Sequence, residues 1–124
     1  MTTVADMMHK GLFSVGPSTT VAEAATMMGE RRVGSALVME GDALLGIFTE
    51  RDIVRALGEH FDAAKHQVSE WMTRNPITVP PDTPARDALK TMLDGGFRHL
   101  PVLDGEQVIG IVSMRDLSRL EAEA

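Results

Sequence analysis

Residues 4–57 and 68–121 align at a constant offset of 64 without a gap, and 14 of the 54 pairs are identical. Chance gives about 3, so the chain is an internal repeat, and repeats of this length bury apolar surface against one another. Val4 meets Val68, Met8 meets Met72, Pro17 meets Pro81, Met28 meets Met92 and Gly41 meets Gly105. The densest match sets Gly46-Ile47-Phe48-Thr49-Glu50-Arg51-Asp52 on Gly110-Ile111-Val112-Ser113-Met114-Arg115-Asp116. The repeats are drawn at residues 1–62 and 68–124, with 63–67 as a linker. A half of about 60 residues buries too little surface to be stable alone, which predicts that the halves share one core.

Composition narrows the function. With no cysteine among its 124 residues, the chain has no disulfide, thiol nucleophile or thiolate metal site. The nine methionines read as core filling rather than as soft-metal ligands. His9, His60 and His66 show no ligand spacing, so no metal site is expected. The net charge of −6 is spread over both halves, which disfavours broad electrostatic binding of nucleic acid. No apolar run is long enough for a bilayer, and the start of the chain lacks the basic-then-apolar layout of a signal peptide, so a cytoplasmic location without membrane contact is expected. No nucleophile–base pair stands at local spacing, and no catalytic activity is expected.

Each repeat reads as β-α-β-β-α, an α+β class. A short amphipathic turn at Val4–Met8 precedes an extended piece, Phe13-Ser14-Val15. A helix follows from Thr20 to Arg32, with Val21, Ala24, Ala25 and Met28 on one face and a capping box from Thr20 to Glu23. In the second repeat Thr83 reads as the cap and Pro84 as the first helical residue, with a stop at Gly95-Gly96. Two apolar strands flank Glu40-Gly41-Asp42, and two more flank Asp104-Gly105-Glu106, as glycine-bearing hairpins. Pro101 has no N–H, which places its strand at an edge or at its own beginning there. A second helix starts near Thr49 and near Ser113, and residues 59–67 extend the first of these or link the halves.

At both densest matches a strand ends in a hydroxyl residue, Thr49 or Ser113, and a helix begins with an aspartate, Asp52 or Asp116, three residues on. A helix start offers unpaired N–H groups to a phosphate. A carboxylate accepts hydrogen bonds only, which suits the two O–H donors of a ribose diol. The same spacing is also a capping box, in which the acid turns back to the hydroxyl residue's own N–H. Gly46 and Gly110, which a cap does not demand, suit a ligand lying against the backbone.

The doubled unit, each copy ending Gly-h-h-Thr/Ser-x-x-Asp with h apolar, resembles a tandem pair of CBS domains over about residues 4–121. Repeat length, the hairpins and Met72-Thr73-Arg74-Asn75-Pro76 all fit that resemblance. It implies two repeats about a pseudo-two-fold axis, a homodimer, and clefts between repeats that bind AMP, ADP, ATP, dinucleotides or S-adenosylmethionine. It assigns Asp52 and Asp116 to ribose, and Thr49 and Ser113 to phosphate or ribose. Ser14-Val15 and Ile77-Thr78-Val79 would edge the adenine, while Gly34-Ser35-Ala36 and Arg98-His99-Leu100-Pro101 would line the cleft. Arg98 and His99, without counterparts at Gly34-Ser35, are expected to make the main phosphate clamp and one site the tighter, and Arg115 would add charge. The resulting expectation is a regulatory module that senses an adenine nucleotide for an unidentified regulated protein and needs no cofactor. The alternatives are an interaction module that binds no ligand, an S-adenosylmethionine sensor and a nucleic-acid binder.

Overall fold

The structure is a computed structural model and describes residues 1–119. The end of the second repeat, residues 120–124, lies outside the described residues. Two compact units emerge, and they do not follow the repeat boundaries. One unit is Phe13–Pro76. The other joins Met1–Leu12 to the described residues from Ile77 on. Each therefore carries the opening segment of the other repeat.

In the Phe13–Pro76 unit, β1 (Ser14–Val15), β2 (Ser35–Glu40), β3 (Ala43–Thr49) and β4 (Thr73–Arg74) form one sheet in the order β1-β2-β3-β4. β1 runs parallel to β2, and the other pairs are antiparallel. Helix α2 (Val21–Arg31) is closed at its start by the expected box, with Glu23 accepting the Thr20 N–H at 3.0 Å and Thr20 Oγ1 accepting the Glu23 N–H at 3.1 Å. The β2–β3 turn needs a left-handed residue, and Gly41 supplies it at φ +60°. Helix α3 (Glu50–Glu59) takes in residue 59 and ends before the Ala63–Lys65 3-10 turn, so residues 60–67 do not prolong it. Val21, Met28, Val38, Phe48, Val68 and Trp71 belong to this unit's hydrophobic cluster.

The other unit repeats the plan. Helix α1 (Val4–Met7) precedes α4 (Ala85–Gly95), β5 (His99–Asp104), β6 (Gln107–Ser113) and α5 (Met114–Leu117). β5 and β6 pair antiparallel, with His9 bridging to Ile111 on one side and Val79 to Val102 on the other. Pro84 is the N-cap of α4 and Ala85 its first residue, one position later than the sequence suggests. Gly96 ends the helix at φ +73°. Val4, Met7, Met92, Leu100, Val112 and Leu117 pack in a second cluster. The described residues thus form two clusters rather than the one shared core expected from the size of each half. Each half completes its own apolar face with the segment it takes from the other repeat.

Pro101 accounts for one difference between the units. In the first sheet the Leu37 N–H donates to the Phe13 carbonyl at 3.1 Å. Pro101 stands 64 residues after Leu37, and its ring nitrogen has nothing to donate to Ile77. The parallel pairing there shrinks to one bridge, with Val79 N–H on the Pro101 carbonyl at 3.1 Å and Leu103 N–H on the Val79 carbonyl at 3.0 Å. Pro101 is the third residue of β5 and pairs with Ile111, so β5 does not begin at it.

Candidate functional site

Both aspartates sit at the start of a helix that follows directly on a strand. In the Phe13–Pro76 unit Thr49 caps α3, and Asp52 Oδ2 accepts the Thr49 N–H at 2.9 Å and the Thr49 hydroxyl at 3.2 Å. In the other unit Ser113 caps α5. Asp116 Oδ2 accepts the Ser113 N–H at 2.8 Å, and Ser113 Oγ accepts the Asp116 N–H at 3.0 Å. Both capping boxes are therefore made, and both acids are buried, at 6% and 7% exposure. Such a box satisfies helix-end donors reciprocally and locks the carboxylate's orientation.

One oxygen of each carboxylate is left over, and a nitrogen-bearing side chain takes it. Arg55 Nη2 reaches Asp52 Oδ1 at 3.3 Å and donates to the Trp71 carbonyl at 3.0 Å. Its guanidinium lies 5.5 Å from the Trp71 ring centroid, within cation–π range. Arg119 repeats the gesture 64 residues later, with Nη2 on the Met7 carbonyl at 3.4 Å and 3.8 Å from Asp116 Oδ1. Asp116 Oδ1 has a closer partner in His9, whose Nε2 stands 2.8 Å away. Each carboxylate so joins its helix start to the segment that comes from the other repeat.

The strand pairings gather most of the residues expected around each acid. Ser35 pairs with Thr49, and the Gly34 carbonyl accepts the Glu50 N–H at 3.1 Å, which sets Gly34-Ser35-Ala36 beside the Asp52 helix start. His99 pairs with Ser113, and the Arg98 carbonyl accepts the Met114 N–H at 2.8 Å. The Val79–Pro101 hydrogen bond draws Ile77-Thr78-Val79 to the same strand. Arg98, Arg115 and Ile77 are exposed, while Pro101 and Val79 are buried.

Gly46 and Gly110 have a different cause from the one their sequence position suggests. A β-carbon on Gly46 would lie 2.5 Å from the Thr73 carbonyl oxygen, and one on Gly110 would lie 2.5 Å from Met8 Sδ and 2.9 Å from the His9 carbonyl oxygen. The bare backbone makes room for the segment from the other repeat, and no ligand is needed to explain it.

Sequence reasoning missed Arg55, Trp71, Met7 and the roles of His9 and Arg119. The Asp-x-x-Arg spacing at Asp52–Arg55 and Asp116–Arg119 recurs in both repeats and was a usable signal. Among the described residues no group of three or more His, Cys, Asp or Glu side chains is placed to hold a metal ion. No helix among them is long and apolar enough to cross a membrane.

Comparison with known proteins places this arrangement. The family model for the CBS domain matches residues 4–59 and 68–123. A 17.7 kDa protein of Acidianus ambivalens is 40% identical over 120 residues, covering 95% of this chain and 72% of that one. The CBS domain-containing protein CBSCBSPB5 of Arabidopsis thaliana is 41% identical over 103 residues, 82% of this chain but only 19% of its own length. Among solved structures, the CBS domain pair of MJ0100, in complex with 5′-methylthioadenosine and S-adenosyl-L-methionine, superposes with a TM-score of 0.90 at 30% identity, covering 99% of this chain and 98% of that one. CBSX2 in complex with AMP gives a TM-score of 0.84 at 27% identity, with 99% and 98% covered.

Proposed function

Because the chain belongs to the CBS-domain family, whose pairs are regulatory modules, we propose that it senses an adenosyl ligand, with AMP, ADP or ATP as the leading class. The observation that carries this reading is the grouping around Asp116. A buried, oriented carboxylate stands at a helix start beside Ser113, with Arg98-His99 and Ile77-Thr78-Val79 on the adjoining strand positions. Asp116 accepts the ribose hydroxyls, Ser113 contacts the sugar or phosphate, Arg98 and His99 take the phosphate, with Arg115 adding charge, and Ile77, Thr78, Val79 and Pro101 edge the base. Asp52 and Thr49, with Gly34, Ser35 and Ala36, form the corresponding site in the other unit and lack the Arg98-His99 pair. Two of the similar structures hold ligands that share an adenosine moiety, which supports a ribose diol as the common element.

Binding adds contacts to those that already join these elements, and it shifts an equilibrium that a partner protein reads. Such a shift requires different affinities in the two states. A second copy of the chain is the proposed assembly. Val54 and Leu57 on α3, and Phe61 just beyond it, leave apolar side chains exposed, and light scattering of the eluted protein tests this.

The test of the sensor is a thermal-shift and calorimetric panel of AMP, ADP, ATP, S-adenosylmethionine and a 2′,3′-dideoxy nucleotide. A true ligand at a hundredfold excess over its Kd adds about 2.7 kcal/mol to stability. The ribose form is expected to bind and the dideoxy form to lose most of that affinity. Equal binding of the two overturns the diol assignment.

A second reading is favoured by one observation. Both carboxylates already have partners for both oxygens, as in a module that holds a partner protein and binds no nucleotide. In that case every ligand in the panel leaves the melting temperature unmoved.

A further inference from the structure

We propose that His9 competes with the ligand for the outward oxygen of Asp116, so that the chain itself holds back the Ser113–Asp116 site. The inference rests on the adenosyl reading above and concerns the control of that same site. It starts from a difference between the two units. Asp52 has its outward oxygen on Arg55, a guanidinium that stays charged across the physiological range. Asp116 has its outward oxygen on the imidazole of His9, at 2.8 Å. Thr73 occupies the position 64 residues after His9, so the arrangement is present at only one of the two sites.

The geometry gives His9 a movable side chain on a fixed backbone. Its N–H donates to the Ile111 carbonyl at 2.9 Å, and its carbonyl accepts the Ile111 N–H at 3.1 Å. The side chain itself is 67% exposed, while that of Asp116 is 9% exposed. Asp116 Oδ2 is committed to the Ser113 N–H. A diol that donates to both carboxylate oxygens therefore has to take the Oδ1 position from the imidazole, which can turn out into solvent.

Calorimetry with adenosine tests this, because the probe has no phosphate and reads the ribose contact alone. His9→Thr, the residue of the other repeat, is expected to bind adenosine about tenfold more tightly than the wild type. His9→Gln, which keeps a donor for Asp116, is expected to stay near the wild type. Adenosine binding equally tight in wild type and His9→Thr overturns this inference and leaves the adenosyl reading standing. No adenosine binding to either protein overturns both.

Discussion

The carbonyl oxygen of Thr73 lies directly over Gly46, so close that a β-carbon there would stand 2.5 Å from it. Thr73 belongs to the opening segment of the second repeat and Gly46 to the middle of a strand in the first. Their contact seats β4 on β3, with Ile47 opposite Thr73 and Gly46 opposite Arg74. The same relation recurs between Gly110 and the Met8-His9 segment, and in both places it closes a sheet with chain from the other repeat.

Substituting these glycines is expected to destabilise the protein unequally. Gly46→Ala drives a methyl into a backbone oxygen that cannot move without the strand, at a cost of about 1–3 kcal/mol. Gly110→Ala meets first the flexible end of Met8, at 2.5 Å, and only then a backbone oxygen, at 2.9 Å. Urea denaturation is expected to show the larger loss for Gly46→Ala. The reverse order contradicts the seating.

Asp116 carries both a helix cap and the proposed ribose contact, and two substitutions separate them. Asp116→Ala is expected to weaken adenosyl binding by about tenfold to a thousandfold and also to cost about 1 kcal/mol of stability through the lost cap. Asp116→Asn keeps an acceptor for the Ser113 N–H, so it is expected to retain most of the stability and still lose affinity. Calorimetry and thermal denaturation on the same samples read the two effects. Unchanged affinity in Asp116→Asn contradicts the ribose assignment.

Arg55 is expected to hold Trp71 in place mainly by packing and by its bond to the Trp71 carbonyl. Its side chain is half exposed, so the ion pair with Asp52 is screened and contributes little by itself. Arg55→Ala is expected to cost about 1 kcal/mol. It is also expected to shift the emission of Trp71, the one tryptophan in the chain, to longer wavelength. Emission identical to wild type argues that Arg55 does not cover the indole.

Glu23 supplies a pH test of the α2 cap. The Thr20 N–H, and then the Thr20 hydroxyl, hold its carboxyl below the ordinary value of 4.5. A carboxyl whose value is lowered on folding adds stability above its unfolded value and loses that addition as pH falls through the lower, folded one. Glu23→Gln is therefore expected to lower the melting temperature at pH 7. The gap should begin to close below about pH 4.5 and vanish in stronger acid. A gap that stays constant with pH means that charge plays no part in the cap.

Much of this protein was open to reading without coordinates, because many of its signals are local. The box from Thr20 to Glu23, the stop at Gly96 and the left-handed hairpin residues Gly41 and Gly105 act within a few positions of themselves. The capping boxes at Thr49–Asp52 and Ser113–Asp116 are equally local, and the family resemblance rested on such signals plus their repetition. The misplacements were small where the signal was weak, as with Pro84, which can either cap a helix or begin it.

Tertiary structure decided which segment closes which sheet. The two openings, Val4–His9 and Val68–Thr73, share Val4 with Val68 and Met8 with Met72 and keep the same apolar pattern, and the sheet edges that receive them share Gly46-Ile47 with Gly110-Ile111. A near-symmetric sequence is satisfied by pairing within a repeat or across repeats, since either choice buries similar apolar residues and makes the same backbone bonds. Only the folded chain, with Met8 and His9 against Gly110 and with Met72 and Thr73 against Gly46, breaks that tie. It thereby brings His9 to Asp116 and Trp71 to Arg55 beside Asp52, contacts that span sequence distances no periodicity or motif encodes.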